Sequence, residues 1–534
     1  MTHSQPVPEA TPSAESGHFQ HVRRQLYVNS GLLGLSRFLS TCTSLVTVPV
    51  VLTRLGMSGY GTWESMMAIA ALITVFQTTI SGTLIWKMST AYGSSDSSQI
   101  HRLMGIGLGS VFTMFALISP LSWLLRYQLV AVANPPTQYR DAALLVIPIL
   151  ISQTTLGACG ETFAAVLIAH QRAGISTLIQ TAALMANSLF MVVGLMRGWQ
   201  LWSLLLGNTV GVAAAIAGQY FAVVAMSGFV SVRPVLPNRA EAMPLFKYAS
   251  FLALGLVSSA LRDQTDKLVL ASVGSTVWTA WFGLASRLAN LTLVVCSFFY
   301  VPLVSAVAAL AARGDWAGVR RLYADTMLGM PYLAGCFVVL MACTYDRVLM
   351  LWIGRSVPEV GPILFILLAG NITAVALTGV GSSLCKGIGK VSIETTYIII
   401  CVVANVVLKF ILTPWLGPIG AVLSSATSWT LGSVVFLILL HRSVDLPRTA
   451  YRAAAMLPVM FVTVLMIRSV AGSVPATTTR LGSAVAASGI GLTSIALFTA
   501  LLIVGRILPW EIVRGFGRSL YSFASARLGV RYGS

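Results

Sequence analysis

The chain has 534 residues, of which 56% are hydrophobic and only 9% are charged. Soluble proteins carry about 25% charged residues, so a soluble fold of this length is excluded because it has too few charges to cover its surface. The mean hydropathy of +0.83 also excludes a disordered chain, since disorder requires low hydrophobicity and high charge. The composition therefore predicts a polytopic membrane protein whose net charge of +18 must be placed relative to the membrane.

Fourteen apolar stretches are long enough to cross a membrane as helices, each with about 20 mostly apolar residues. The alternating pattern of membrane β-strands is not found in the sequence. Residues 1–26 are polar and predict a disordered cytoplasmic tail. The fold class is therefore all-α, with spans predicted at about 30–52, 62–84, 103–126, 143–168, 174–195, 201–225, 246–272, 277–309, 327–351, 361–385, 391–413, 418–440, 452–471 and 482–507.

The distribution of lysine and arginine predicts the orientation of these spans. If the N-terminus is cytoplasmic, 21 of the 34 basic residues lie in cytoplasmic segments, 8 lie on the other side and 5 lie within spans. Cytoplasmic segments carry an excess of Lys and Arg, so both termini are expected to be cytoplasmic. The segment 508–534 mixes basic and apolar residues, which predicts an amphipathic anchor on the inner leaflet.

An internal repeat appears at an offset of 218 residues, which corresponds to six spans. Both copies would then have the same orientation, as in a parallel repeat of two transporter lobes. We predict an N-terminal six-helix lobe at 27–226 and a C-terminal six-helix lobe at 246–441, with the two further spans at 452–507 outside the repeat. The matched pairs are Gly56 with Gly274, Trp63 with Trp281, Arg102 with Arg320, and Asn187 with Asn405.

Three segments carry a resemblance to a known family. The first segment opens the first lobe and comprises Asn29, Pro49 and residues 51–63. The second segment is 266–288. The third segment, 386–396, has the sequence KGIGKVSIETT. Together they resemble the polysaccharide-export flippases, the Wzx-type O-antigen and exopolysaccharide transporters of the MOP superfamily. The matching residues are Leu55, Gly56, Tyr60 and Gly61 in the first segment and Asp266, Gly274, Trp281 and Arg287 in the second, with Trp278 and Trp281 standing where tyrosine is commoner in the family.

The resemblance covers about residues 22–507 and implies a flippase of the bacterial inner membrane. Such proteins move an undecaprenyl-diphosphate-linked oligosaccharide across the membrane by alternating access of two lobes. The implied partners are the lipid-linked oligosaccharide and the lipid bilayer, with contacts to a polysaccharide polymerase and glycosyltransferases also open. Nucleic acid is not an expected partner.

Charged residues within spans are costly, so each one is a candidate for function. The basic excess suits an anionic lipid diphosphate and disfavours a lipophilic cation. Gly283 and Leu291 stand four residues either side of Arg287, so its counter-charge is expected from another helix or from a ligand. Snorkelling to a membrane face is the other interpretation of Arg37 and Lys409. The candidates for a cationic cavity that binds the diphosphate are Arg37, Arg262, Lys267, Arg287 and Lys409.

Three acidic residues lie deep within spans and are candidates for ion coupling: Asp263, Asp266 and Glu161. The alternative for the first two is neutralisation on the same helix, because Arg262 with Asp266 and Asp263 with Lys267 are four residues apart. The alternative for Glu161 is an ion pair with Arg37.

We expect no catalytic residue, cofactor or metal site, and an ion gradient or the membrane potential as the driving force. The six histidines lie in tails or loops, and the Walker A spacing is missing. Three other functions remain open: a lipid II flippase, a MATE-like drug or cation antiporter, and a membrane polysaccharide polymerase or ligase. Short outer loops argue against the polymerase or ligase, and fourteen spans with a basic excess argue against the antiporter. The sequence does not separate the lipid II flippase from the polysaccharide flippase.

Overall fold

The computed structural model describes residues 12–93, 96–227, 233–447, 449–471 and 479–509, and all secondary structure in these ranges is helical. The chain divides into two compact units, Met1–Ala260 and Leu261–Ser534. The division falls inside a helix, so the two units are joined by continuous helical backbone.

Unit 1 is a bundle in which α4 packs against α1, α2 and α6, and α5 packs against α1 and α6. Helix α1 is broken at Gly56, whose backbone adopts φ 71° and ψ −178°. Only glycine visits this region readily because it has no Cβ, so Gly56 separates the first two spans. The helices of unit 1 are α1 (Pro12–Gly93), α2 (Ser97–Leu124), α3 (Arg126–Ala133), α4 (Thr137–Ala169), α5 (Ala173–Met196), α6 (Leu201–Ser227) and the first part of α7 (Arg239–Val269).

Unit 2 contains the remainder of α7 and eight further α-helices. A π-helical turn, Leu270–Gly274, follows α7, and a second one, Val375–Gly379, joins two α-helices into one span. Helix α12 packs against α13, and α10 packs against α8 and α13. The helices are α8 (Thr276–Ala312), α9 (Trp316–Ile353), α10 (Val360–Ala374), α11 (Val380–Gly387), α12 (Val391–Leu416), α13 (Pro418–Ser443), α14 (Ala450–Ala471) and α15 (Arg480–Val504).

Helices α14 and α15 pack against α9 and belong to unit 2. Phe498 and Leu502 are fully buried in a cluster that includes Val339 and Met456. Burial of a large apolar side chain is worth about 1.5–3 kcal/mol. These contacts fix the two helices that lie outside the internal repeat.

The all-helical membrane fold predicted from the sequence is confirmed. Among the described residues, eleven helices are long and apolar enough to cross a membrane, whereas the sequence predicts fourteen spans, all of which fall on helices. The numbers differ in part because α1 holds two spans on either side of Gly56 and because a π-helical turn divides α10 from α11. Helix α1 begins at Pro12, within the segment predicted as a tail. Residues 1–11 and 510–534, which include most of the predicted amphipathic anchor, lie outside the described residues.

The segment that leads into α7 is docked on α2. The amide of Val235 donates to the carbonyl of Gly105 at 2.9 Å. A Cβ added at Gly109 would lie 2.4 Å from the carbonyl oxygen of Val235, so only glycine allows this approach. Arg102 pairs with Glu241 at the start of α7, with the Nη2–Oε2 distance at 3.0 Å. The entry to α7 is therefore fixed within unit 1.

Candidate functional site

A buried ion pair joins α7 to α12 in unit 2. Lys409 Nζ lies 2.7 Å from Asp266 Oδ1, and both side chains are only 6% exposed. Removing two charges from water costs several kcal/mol for each ion. Such a pair persists only when its geometry is good and its remaining hydrogen-bonding groups are satisfied, and both conditions hold here.

Polar side chains on α12 and α13 complete a closed ring around the ion pair. Lys409 Nζ donates to Asn405 Oδ1 at 2.7 Å, and Asn405 Nδ2 donates to Ser425 Oγ at 2.7 Å and to Ser428 Oγ at 3.3 Å. Ser425 Oγ in turn donates to Asp266 Oδ1 at 2.7 Å. We call Asp266, Lys409, Asn405 and Ser425 the polar ring. It is neutral overall, and the three helices that supply it are held together by charge-assisted hydrogen bonds.

The polar ring joins two residues that the sequence analysis assigned to different roles. Lys409 is a candidate for the diphosphate, and Asp266 is a candidate for ion coupling. In this structure each is the counter-charge of the other, so either role requires the ion pair to open. Lys409 is buried beside Asp266, which differs from the snorkelling alternative. Asn405 and Ser425 were not identified as site residues from the sequence, although Asn405 stands one helical turn before Lys409.

The equivalent positions of unit 1 carry no charge. At the repeat offset, Asp266 corresponds to Val48, Lys409 to Met191, Asn405 to Asn187 and Ser425 to Gly207. Three of these positions adjoin one another in unit 1, because a Cβ added at Gly207 would lie 2.9 Å from both Asn187 Oδ1 and Met191 Cβ. Asn187 Oδ1 is buried and has no hydrogen-bond partner among the described residues. Only unit 2 carries an ion pair at this position of the repeat.

Glu161 lies on α4, in the middle of unit 1. Its Oε1 accepts a hydrogen bond from Gln180 Nε2 on α5 at 3.1 Å. The side chain of Arg37, the alternative partner, lies outside the described residues, so the predicted pairing of Glu161 with Arg37 stays a prediction. Glu161 belongs to a longer row of polar side chains, described below.

The other candidates fall on α7 and α8. Arg287 is half-buried on α8, and Lys267 is half-buried at the end of α7, where its carbonyl accepts a hydrogen bond from Thr279 Oγ1 at 3.3 Å. The side chains of Arg262 and Asp263 lie outside the described residues. Their assignments to the diphosphate and to ion coupling remain predictions.

A search of the described ranges for three or more His, Cys, Asp or Glu side chains able to hold one metal ion finds none. All seven cysteines are free thiols.

Comparison with known proteins gives matches at the level of fold. No protein-family model matches the sequence, and no curated protein matches it either. Three solved structures resemble the chain at 12–16% sequence identity. At this identity the similarity shows the fold alone.

The lipid II flippase MurJ, in an inward closed conformation, superposes with a TM-score of 0.68 at 12% identity, covering 89% of this chain and 100% of that one. An inward-facing multidrug resistance MATE transporter of the MOP superfamily gives 0.63 at 12% identity, covering 76% and 94%. A MATE transporter of Vibrio cholerae gives 0.55 at 16% identity, covering 80% and 99%. The chain therefore has the multi-pass helical fold that these membrane transporters share.

Proposed function

We propose that the chain is a membrane transporter of the MOP type and that its cargo is a lipid-linked oligosaccharide diphosphate. The observation that carries this proposal is the fold similarity to MurJ, which spans all of that chain and 89% of this one. The MATE structures support a transporter but cover less of the chain. An enzyme function such as polymerase or ligase gains no support from these likenesses.

Charge favours an anionic cargo over a cationic one. Among the charged residues placed deep within the predicted spans, five basic residues stand against three acidic ones. One pair of opposite charges, Lys409 and Asp266, neutralises itself in the polar ring, and removing it leaves four basic residues against two acidic ones. The remaining excess is positive, and a guanidinium such as that of Arg287 matches phosphate oxygens bidentately.

The finer assignment, an undecaprenyl-diphosphate-linked oligosaccharide for O-antigen or exopolysaccharide synthesis, rests on the sequence resemblance of residues 51–63 and 266–288. We place the protein in the bacterial inner membrane with both termini in the cytoplasm, on the basis of the Lys and Arg distribution. Alternating access of the two units would carry the cargo between leaflets. Asp263, Asp266 and Glu161 remain candidates for coupling to an ion gradient. A contact with a polymerase or with glycosyltransferases remains part of this proposal.

Lipid II is the second candidate cargo, because MurJ, whose fold the chain shares, is a lipid II flippase. Both cargoes share an undecaprenyl diphosphate and differ in the sugar. The same site chemistry would serve either of them, so the choice between them must come from the sugar portion.

Deletion of the gene tests the proposal. The cargo is expected to accumulate on the cytoplasmic leaflet, and analysis of the accumulated lipid then identifies its sugar. Accumulation of lipid II would replace the oligosaccharide assignment with the second candidate. Normal delivery of both lipids to the outer face, in cells without a compensating transporter, would refute a flippase function.

A further inference from the structure

Unit 1 contains a row of polar side chains in the middle of its spans. On α4, Gln153, Gly157 and Glu161 are spaced four residues apart and therefore lie on one face of the helix. They extend over about 12 Å along the helix axis, at 1.5 Å per residue. We call this face, together with the amides that contact it from α1, α5 and α6, the amide track.

Neighbouring helices supply an amide at each level of the track. Gln153 Nε2 donates to Thr209 Oγ1 at 2.6 Å, and Gln153 Oε1 accepts from Asn208 Nδ2 at 2.8 Å, both on α6. At the other end, Gln180 on α5 donates to Glu161 at 3.1 Å. Between them, Gln77 on α1 donates to the carbonyl of Thr154.

Gly157 keeps the middle of the track open. A Cβ at this position would lie 3.2 Å from Gln77 Nε2 and 3.9 Å from Val212 Cγ1. A side chain longer than a methyl would therefore displace the Gln77 amide or fill the track. The glycine leaves room for the amide of Gln77 beside α4, at the level between Gln153 and Glu161.

The track is accessible, and its hydrogen-bonding capacity is only partly used. Gln153, Asn208 and Glu161 are half-buried, while Gln180 and Thr209 are exposed. A carboxamide has two donor hydrogens and a carbonyl oxygen with two lone pairs. In the contacts above, Gln153 uses one hydrogen and one lone pair. Polar groups at this depth face a bundle interior or a water-filled cavity, because hydrocarbon would leave them unsatisfied.

We propose that the amide track binds the hydroxyl groups of the saccharide portion of the cargo. This inference rests on the proposed function and deepens it. Amides recognise a neutral polyol because they both donate to and accept from hydroxyl groups. The track has one carboxylate and no basic side chain among the members described above, so it does not suit a diphosphate. The basic candidates Lys267 and Arg287, which the sequence analysis assigned to the diphosphate, belong to unit 2.

The test compares two ligands on the full chain in nanodiscs. One ligand is undecaprenyl diphosphate, and the other is the lipid-linked oligosaccharide that accumulates in cells lacking the gene. The contribution of the sugar is measured by a ratio, the dissociation constant of undecaprenyl diphosphate divided by that of the lipid-linked oligosaccharide. Each hydrogen bond to a neutral partner is worth between about twofold and about tenfold in affinity. We therefore expect Gln153→Ala with Asn208→Ala to lower this ratio by about fivefold or more.

A second variant and a control keep the result interpretable. Gly157→Leu, which fills the track without removing an amide, should lower the same ratio. Gln138→Ala makes the same change at an exposed position of α4 and should leave the ratio unchanged. A variant that only disturbs folding lowers both affinities together and leaves the ratio at its wild-type value.

The outcomes separate this inference from the proposed function. An unchanged ratio in both track variants would overturn the amide track while leaving the transporter proposal standing. A wild-type protein that binds the diphosphate but gains nothing from the sugar would overturn it in the same way. If the wild type binds neither ligand, or if no lipid-linked sugar accumulates without the gene, the proposed function and the track fail together.

Discussion

Replacing Lys409 by methionine tests the polar ring most severely. Methionine has a similar length but no charge, so Lys409→Met leaves the Asp266 carboxylate buried without its ammonium partner. Ser425 would still donate to Asp266 Oδ1, but a neutral hydrogen bond does not replace the charge of the ammonium group. Breaking a buried ion pair from one side costs about 3–5 kcal/mol. For a chain of this size the apparent Tm should then fall by several degrees, at about 2 °C for each kcal/mol.

The second half of this test is the double variant. Asp266→Asn alone strands Lys409 and should cost a similar amount, whereas Asp266→Asn with Lys409→Met removes both charges and should recover much of the loss. The expected coupling energy is about 2–3 kcal/mol. Thermal unfolding of the purified protein in detergent measures this coupling energy. The matched control is Lys247→Met at an exposed position of α7, whose stability should stay within about 0.5 kcal/mol of the wild type. Losses that simply add in the double variant would refute the ion-pair argument.

Three further predictions use the same structure. Met191→Lys should destabilise unit 1 when made alone, and Val48→Asp with Met191→Lys should recover part of the loss by supplying the missing carboxylate; thermal unfolding checks this, and a double variant no more stable than Met191→Lys contradicts it. Arg287→Ala should abolish export of the lipid-linked oligosaccharide while Arg287→Lys retains part of it, as judged by surface polysaccharide at matched expression; normal export by the alanine variant would contradict the diphosphate role. Gly56→Ala places a Cβ at φ 71° and should cost about 1–2 kcal/mol, seen as a lower apparent Tm; an unchanged Tm would show that the break tolerates a side chain.

The spans were predictable because each one is a local property of the sequence. Apolar length alone placed fourteen segments on helices, and Gly56 stood between the first two. The same reasoning identified Asp266, Lys409 and Glu161 as intramembrane charges. The spacing of four residues on one helix also suggested Arg262 as an alternative partner of Asp266. The structure pairs Asp266 with Lys409, which is distant in sequence and adjacent only because α7 and α12 pack in unit 2. The side chain of Arg262 lies outside the described residues, so its pairing with Asp266 stays a prediction.

The neutral polar residues were harder to find. Ser425 carries no charge and looks like any small residue of a membrane helix until Asp266 is placed beside it. Part of the amide track could be read from the sequence, since Gln153, Gly157 and Glu161 are spaced four residues apart. Its partners Gln180 and Asn208 lie on other helices, so the hydrogen bonds that define the track depend on tertiary packing. Sequence periodicity could indicate the face of α4, but it could not identify what contacts that face.

A reconstituted transport assay tests the central claim most directly. The purified chain is placed in liposomes that contain the accumulated lipid-linked oligosaccharide, and periodate, which does not cross the bilayer, oxidises sugars exposed on the outer leaflet. A transporter of this cargo should let the reaction proceed toward completion, because sugars from the inner leaflet keep arriving. Oxidation that stops at the outer-leaflet pool, as in liposomes without protein, would contradict the account.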